Sequence, residues 1–159
     1  MDKKEPIPKT GTGSIFFQCE QQALRYLSMR EHNRSELRQK LLAKGYSEDF
    51  VETVLDSLAS NGDLSEVRYI QSFVRSSNKR HPEGKSMLLA RLCAKGTERN
   101  VAKEVLEEMY DSDYTAALVT SAYNNIVHKR GGSDLKPYEI KAKLFKLGFT
   151  QADVNLIEQ

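Results

Sequence analysis

The sequence feature that most constrains the fold is a short phrase of leucine, a basic residue and glycine that occurs three times. Its copies are Leu37-x2-Lys40-Leu41-x3-Gly45, Leu88-x2-Arg91-Leu92-x3-Gly96 and Ile140-x2-Lys143-Leu144-x3-Gly148. The glycines are separated by 51 and 52 residues (96 − 45 and 148 − 96). A unit of about fifty residues cannot bury an adequate core alone, so neighbouring units must share one. The repeat predicts an elongated array of three tandem units.

Each unit is predicted to contain three helices, because strand signals are nearly absent and the apolar residues have helical spacing. In the first unit, Asn33 with Glu36 forms a capping-box pattern before the second helix. Gly45 ends that helix, since glycine adopts left-handed backbone without penalty, and Ser47 can cap the third helix. The corresponding caps in the later units are predicted to be Thr97 and Thr150. The predicted fold class is therefore all-α.

These patterns divide the chain into a tail and three repeats. We expect a flexible N-terminal tail over residues 1–19 and three-helix repeats over 20–64, 65–110 and 111–159. The loops 78–84 and 128–136 are predicted to be long and mobile, because they are polar and contain glycine. No run approaches the roughly 20 apolar residues that a membrane helix needs, and the two cysteines are far apart. We expect a cytoplasmic protein without a membrane partner.

Charge alternates in phase with the repeat, although the net charge is only +2. Residues 20–46 contain six Lys/Arg and three acids, whereas residues 47–66 contain six acids and no Lys/Arg. The second repeat shows the same change of sign. If the units stack in register, basic helices lie along one side and acidic helices along another. This pattern indicates a binding face for an acidic protein groove or a phosphate backbone, and ordinary solvated helix faces are the alternative interpretation.

The candidate binding residues are therefore basic. Lys40, Arg91 and Lys143 occupy matching places in the three repeats, and the cluster around Arg75 and Lys79 is costly through self-repulsion unless a partner uses it. The full predicted partner-binding set is Arg25, Arg34, Arg38, Lys40, Arg75, Lys79, Arg80, Lys85, Arg91, Lys95 and Lys143.

The sequence contains no pattern typical of a catalytic or cofactor site. His32, His81 and His128 have no partner ligand at metal-site spacing, and surface or capping roles are predicted for them. Glycine-rich phosphate loops and nucleophile motifs are missing too. We expect a protein that is not an enzyme and needs no cofactor or metal.

Several motifs together resemble one known family, the RecX regulatory proteins, which modulate the RecA recombinase in bacteria. The matching motifs are Ala23-Leu-Arg-Tyr-Leu, Arg30-Glu-His-Asn-Arg-Ser-Glu-Leu37, Asn61-Gly-Asp-Leu-Ser-Glu-Val-Arg-Tyr69, Phe73-Val74-Arg75 and Gly84-x3-Leu88-x3-Leu92-x3-Gly96. The resemblance is close over residues 20–109 and loose over the third repeat. Two departures are Ser65-Glu66, where the family usually has paired aspartates, and the missing tryptophan of the third repeat.

The resemblance implies a monomeric, non-enzymatic inhibitor that lies in the helical groove of the RecA filament on DNA. Such proteins suppress ATP hydrolysis, strand exchange and co-protease activity, and contact with single-stranded DNA inside the filament is possible. A direct DNA-binding helical-repeat protein is the alternative, because three-helix units with basic second helices also describe helix-turn-helix modules. A plain helical scaffold for another protein is the third function considered.

Overall fold

A computed structural model describes residues 12–129 and 131–158, and these residues are almost entirely helical. Their α-helices are α1 (Thr12–Met29), α2 (Arg34–Ala43), α3 (Glu48–Ser60), α4 (Glu66–Arg80), α5 (Lys85–Ala94), α6 (Arg99–Met109), α7 (Ser112–Val127), α8 (Pro137–Lys146) and α9 (Gln151–Asn155). A single 3-10 turn, Gly132–Asp134, lies between α7 and α8. The described ranges contain no strand, so the all-α prediction is confirmed, with the helices in three successive groups of three.

The first helix begins earlier than the sequence predicted. Residues 12–19 were assigned to the flexible tail, but α1 starts at Thr12. Cys19 is fully buried and Phe16 packs against the core beside it, so this part of the helix is held by apolar contacts. The prediction missed these contacts because it treated the glycines near residue 12 as a sign of disorder. The rest of the predicted tail, residues 1–11, lies outside the described residues.

The chain divides into two compact units. The first contains the described residues up to Tyr69 together with Lys95–Thr97, and the second contains Ile70–Ala94 and the residues from Glu98 onward. The repeated leucines supply both cores: Leu37 and Leu41 are fully buried in the first unit. In the second unit the corresponding residues, Leu88, Leu92, Ile140 and Leu144, are also buried.

Most of the predicted helix caps are present. The Asn33 side chain accepts a hydrogen bond from the backbone N–H of Glu36 at 2.7 Å, and Ser47 accepts one from Phe50 at 3.5 Å. Thr150 caps α9 in a full capping box with Asp153. The box at Asn33 is only half formed, because the Glu36 carboxylate is paired with Arg30 instead.

The prediction for Thr97 is wrong. The N-cap of α6 is Glu98, whose carboxylate accepts hydrogen bonds from the backbone N–H groups of Asn100 and Val101 at 3.0 Å and 2.9 Å. Thr97 is buried instead, and its hydroxyl accepts a hydrogen bond from the Asn33 side chain at 3.3 Å. Glu98, next to the predicted cap, caps α6 instead because its carboxylate can accept two hydrogen bonds and its charge complements the helix dipole.

The unusual Ser65-Glu66 pair fulfils two capping roles. Ser65 caps α4 and accepts a hydrogen bond from the backbone N–H of Arg68 at 3.2 Å. The Glu66 carboxylate accepts one from the backbone N–H of Arg34, the first residue of α2, at 2.6 Å. Burial raises the pKa of Glu66. One acidic side chain thus satisfies an N-terminal donor of a helix that is distant in sequence.

The three repeat glycines all end helices in the left-handed conformation, with φ of 95°, 88° and 90° at Gly45, Gly96 and Gly148. Two of them also allow a close backbone contact. A Cβ on Gly96 would lie 2.6 Å from the Ser35 hydroxyl oxygen, and one on Gly148 would lie 2.6 Å from the Cβ of Met87. Any side chain at either position would therefore overlap a neighbour.

The first repeat contacts the second, and the second contacts the third, in a similar way. In the first compact unit, the Asn33 amide donates to the carbonyl of Lys95 at 2.9 Å, next to the contact between Ser35 and Gly96. In the second unit, the Ser86 hydroxyl donates to the Gly148 carbonyl at 2.8 Å. Ser35 and Ser86 both stand ten residues before the glycine of their own repeat (45 − 35 and 96 − 86). The start of each second helix thus contacts the glycine of the following repeat.

The loop predicted over 78–84 is shorter than expected, and hydrogen bonds fix its position. Helix α4 continues to Arg80, and Asn78 is buried. The Asn78 amide donates to the hydroxyls of Tyr110 and Tyr114 at 2.9 Å and 3.0 Å, and its carbonyl oxygen accepts from the backbone N–H of Glu83 at 3.0 Å. Tyr110 donates to the Glu83 carbonyl at 2.7 Å. Burial raises the pKa of Tyr110, which keeps this donor protonated.

His32 is buried, so the prediction of a surface or capping role for it is wrong. Its Nδ1 lies 2.9 Å from the Arg30 carbonyl and its Nε2 lies 2.9 Å from the Lys40 ammonium. Since an ammonium can only donate, Nε2 accepts and the Nδ1–H donates to the carbonyl. Burial is the main cause that lowers the pKa of His32 from its ordinary value of 6.5. A proton on Nε2 would also face the charge of Lys40.

The glycine contacts predict unequal costs for one substitution. Gly45→Ala should cost about 1–2 kcal/mol, because alanine must adopt left-handed backbone in open space. Gly148→Ala has the same backbone cost and adds the overlap with Met87, which should destabilise by about 1–3 kcal/mol more. Urea unfolding of both variants measures the difference. Equal free energies of unfolding would contradict the close contact.

The buried histidine predicts a loss of stability in mild acid. Below about pH 6.5 the unfolded chain binds a proton at His32 that the folded protein resists, so the free energy of unfolding should fall as pH decreases. Urea unfolding at about pH 7.5 and about pH 5.5 should show a smaller fall for His32→Gln than for the natural protein. His81→Gln is the matched control because His81 is exposed. An equal fall in all three proteins would rule out this role.

Candidate partner-binding surface

The two arginines of α2 are paired with acidic residues of α3. Arg34 forms ion pairs with Glu52 and Asp56, each at 2.7 Å. Arg38 pairs with Glu52 at 2.6 Å and with Glu48. Hydrogen bonds from both arginines lower the pKa of Glu52. The predicted separation of basic and acidic sides is therefore wrong in the first repeat, because long arginine side chains reach across to the next helix.

Lys40 and Arg91, at matching places in their repeats, share one environment. The Lys40 ammonium lies 5.0 Å from the centroid of the Tyr26 ring and 3.8 Å from the Glu36 carboxylate. The Arg91 guanidinium lies 5.0 Å from the centroid of the Phe73 ring and pairs with Glu83. A ring beneath and an acid beside each cation stabilise the charge within the repeat.

Three further candidates lie in different settings. Lys85 pairs with Glu107 at 2.7 Å, which joins α5 to α6. Lys95 is exposed, and its backbone carbonyl accepts the Asn33 bond described above. Arg25 is exposed on α1 beside Tyr46, at a shallow hollow of about 340 Å³.

The strongest candidate surface is the basic cluster of α4, which we define as Arg75, Lys79 and Arg80. All three are exposed, and in the part of the chain that the structure describes none forms an ion pair. Ile70 and Val74 are fully buried on the same helix and fix its orientation. The last turn of α4 holds Lys79 and Arg80, where they complement the helix dipole.

A second unpaired group surrounds Lys143 in the third repeat. Lys143 lines a cleft of about 390 Å³ together with Lys129 and Lys146, which the sequence prediction did not select. A signal was present, since Lys146 stands two residues before its glycine, where the earlier repeats have Ala43 and Ala94. The prediction compared what the repeats share and passed over this difference.

Across residues 12–129 and 131–158, no cluster of three or more His, Cys, Asp or Glu side chains is placed to hold a metal ion. The helices in these ranges are all too short or too polar to span a bilayer.

Comparison with known proteins identifies the family. A family model described as the first three-helix domain of RecX matches residues 19–58. The regulatory protein RecX of Pelodictyon phaeoclathratiforme is 38% identical over 90 residues, which are 57% of this chain and 56% of that protein. The chain thus aligns with just over half the length of that relative. The regulatory protein RecX of Prosthecochloris aestuarii is 32% identical over 127 residues, covering 80% of this chain and 82% of that protein.

The fold agrees with this assignment. The crystal structure of RecX from Lactobacillus salivarius superposes with a TM-score of 0.78 over 92% of this chain and 96% of that one, at 21% identity. That likeness concerns the fold, while the Prosthecochloris alignment extends over most of both sequences. The resemblance seen in the motifs is thus confirmed: this chain belongs to the RecX family of regulatory proteins.

Proposed function

We propose that this protein is a non-enzymatic negative regulator of the RecA recombinase. It binds in the groove of the RecA filament on DNA, in the cytoplasm, and inhibits ATP hydrolysis, strand exchange and co-protease activity. Membership of a regulatory family supports the general role. The observation that carries the partner-binding part is the basic cluster of α4, whose three cations are exposed and have no acidic partner in the described residues.

The environment of the cluster suits a large acidic partner. Paired cations such as Arg34 already have their Coulomb attraction satisfied, so a partner would have to break existing contacts to use them. The cations of the α4 cluster repel one another, and an acidic groove would relieve that repulsion. Exposed charges of one sign also accelerate association with a surface of opposite charge. The α4 cluster is therefore the part of the predicted set that we assign to RecA.

Direct DNA binding by α2, the second helix of the first repeat and part of the alternative considered from sequence, receives less support. In α2 the arginines Arg34 and Arg38 are paired with α3, and Lys40 is held by His32 and Tyr26. Reading DNA with this helix would require these contacts to be broken. Gln39 is exposed there, but a lone amide offers little affinity without phosphate contacts.

The proposed role predicts inhibition of RecA by small amounts of this protein. Added well below the RecA concentration, the purified protein should slow ATP hydrolysis by RecA on single-stranded DNA, because a groove-bound regulator acts on an assembled filament. A coupled ATPase assay measures the rate. An unchanged rate at equimolar protein would refute the regulatory role.

The α4 cluster predicts which cations matter for that inhibition. Replacing Arg75, Lys79 and Arg80 with alanine should raise the protein concentration needed for half inhibition by roughly tenfold or more, since each exposed charge contributes up to about 1 kcal/mol. Lys44, Arg99 and Lys103 are also exposed, and their triple alanine variant changes the net charge equally. Circular dichroism checks that both variants fold. Equal inhibition by the two variants would remove the α4 cluster from the site.

A further inference from the structure

The third repeat differs from the first two at the one basic position that all three share. Lys40 and Arg91 are each held by an aromatic ring and an acid of their own repeat. Lys143 has neither partner among the described residues, and it is exposed. The fold therefore leaves this third cation available to an external ligand.

The difference from the first repeat involves one carboxylate. Glu36 and Glu139 both stand nine residues before the glycine of their repeat (45 − 36 and 148 − 139). Glu36 lies 3.8 Å from Lys40, whereas the Glu139 carboxylate accepts the backbone N–H of Lys136 at 2.7 Å. Glu139 is thus committed to the helix cap, so it does not neutralise Lys143.

Lys143 faces a cleft with two further lysines. The cleft, of about 390 Å³, is lined by Lys129, Lys143 and Lys146 together with Ile126, Leu135 and Leu147. Gly131 and Gly132 line it as well. No acidic side chain lines the cleft within the described ranges. Its volume falls in the range of about 300–1,000 Å³ that is usual for small-ligand sites.

The local charge favours an anion even after the helix ends are counted. The cleft lies by the carboxyl ends of α7 and α8, each of which contributes about −0.5 elementary charge. Three lysines contribute +3, so a net charge of about +2 remains. Compensation of the helix dipoles alone would need only one of these cations.

We propose that this cleft binds the phosphate groups of a nucleotide, with the lysines on the phosphates and the sugar and base against the apolar wall. Phosphate suits the site because its several oxygens can accept from more than one ammonium. A glutamate or aspartate side chain brings a single charge and no flat apolar group for the wall of Ile126 and Leu135. The nucleotide can be part of a single strand or free in solution, and both offer the same chemistry.

Direct binding by the full chain, without RecA, tests the site. The probe is a fluorescent oligothymidylate. The competitors are ATP, inorganic tripolyphosphate and polyglutamate. The affinity of the double variant Lys143→Gln and Lys146→Gln for the oligonucleotide should be lower by about tenfold or more. Its log affinity should also depend less steeply on log salt, by about 0.7 for each lost phosphate contact.

The matched control is Lys44→Gln with Lys103→Gln, which removes two exposed lysines that do not line the cleft. It should bind as the natural protein does. Competition by ATP at concentrations comparable to the oligonucleotide would identify a free nucleotide, and competition by the oligonucleotide alone would identify nucleic acid. Equal affinities of the two variants would overturn the site. Competition by polyglutamate or tripolyphosphate that is as strong as competition by the nucleotides would also overturn the site, because these two anions can be attracted by charge alone.

Because RecA is absent from these measurements, their failure would leave the regulatory proposal untouched. Conversely, a protein that binds nucleotides at the cleft but fails to slow RecA would support this site and refute that role.

Discussion

The contact that orders the repeats is a backbone approach that only glycine permits. At Gly96 and Gly148 the chain must turn left-handed to end a helix, and it must also let the start of the preceding second helix come within van der Waals distance. Each requirement alone would favour glycine, and together they leave no other residue. The Ser86 hydroxyl also donates to the Gly148 carbonyl, so a carbonyl just past the end of α8 gains a donor. Leucine packing fills the core of each compact unit, and within each unit this contact holds the start of a second helix against a glycine of the following repeat.

Charge in this molecule serves two separate purposes. Much of it stabilises the repeats, as in the pairs of Arg34 with α3 or the Arg91 guanidinium above its ring. Another part is exposed and forms no ion pair among the described residues, at the α4 cluster and at the cleft around Lys143. A count of charges along the sequence adds these two kinds together. Their separation requires knowing which acids lie within reach of which cations.

The sequence predicted the helices well, because caps and glycines are local signals. Asn33, Ser47 and Thr150 cap as expected, since each depends only on a residue three positions along the chain. Predictions that depended on distant contacts fared worse. The burial of His32 requires the Lys40 ammonium and the Arg30 carbonyl to meet around it. The acidic partners of the basic residues could likewise not be predicted from the sequence, because Glu52 is near Arg38 only after α2 and α3 pack together.

The contact between repeats also has a direction along the chain. The first and second repeats each have a serine ten positions before their glycine, Ser35 and Ser86, and the next repeat supplies the glycine that this region contacts. The third repeat has Tyr138 at that position (148 − 138), preceded by Pro137, and the tyrosine side chain is 65% exposed. Meanwhile Gly45 has open space around it. Tyr138 therefore leaves the third repeat without the small residue that Ser35 and Ser86 supply to this contact.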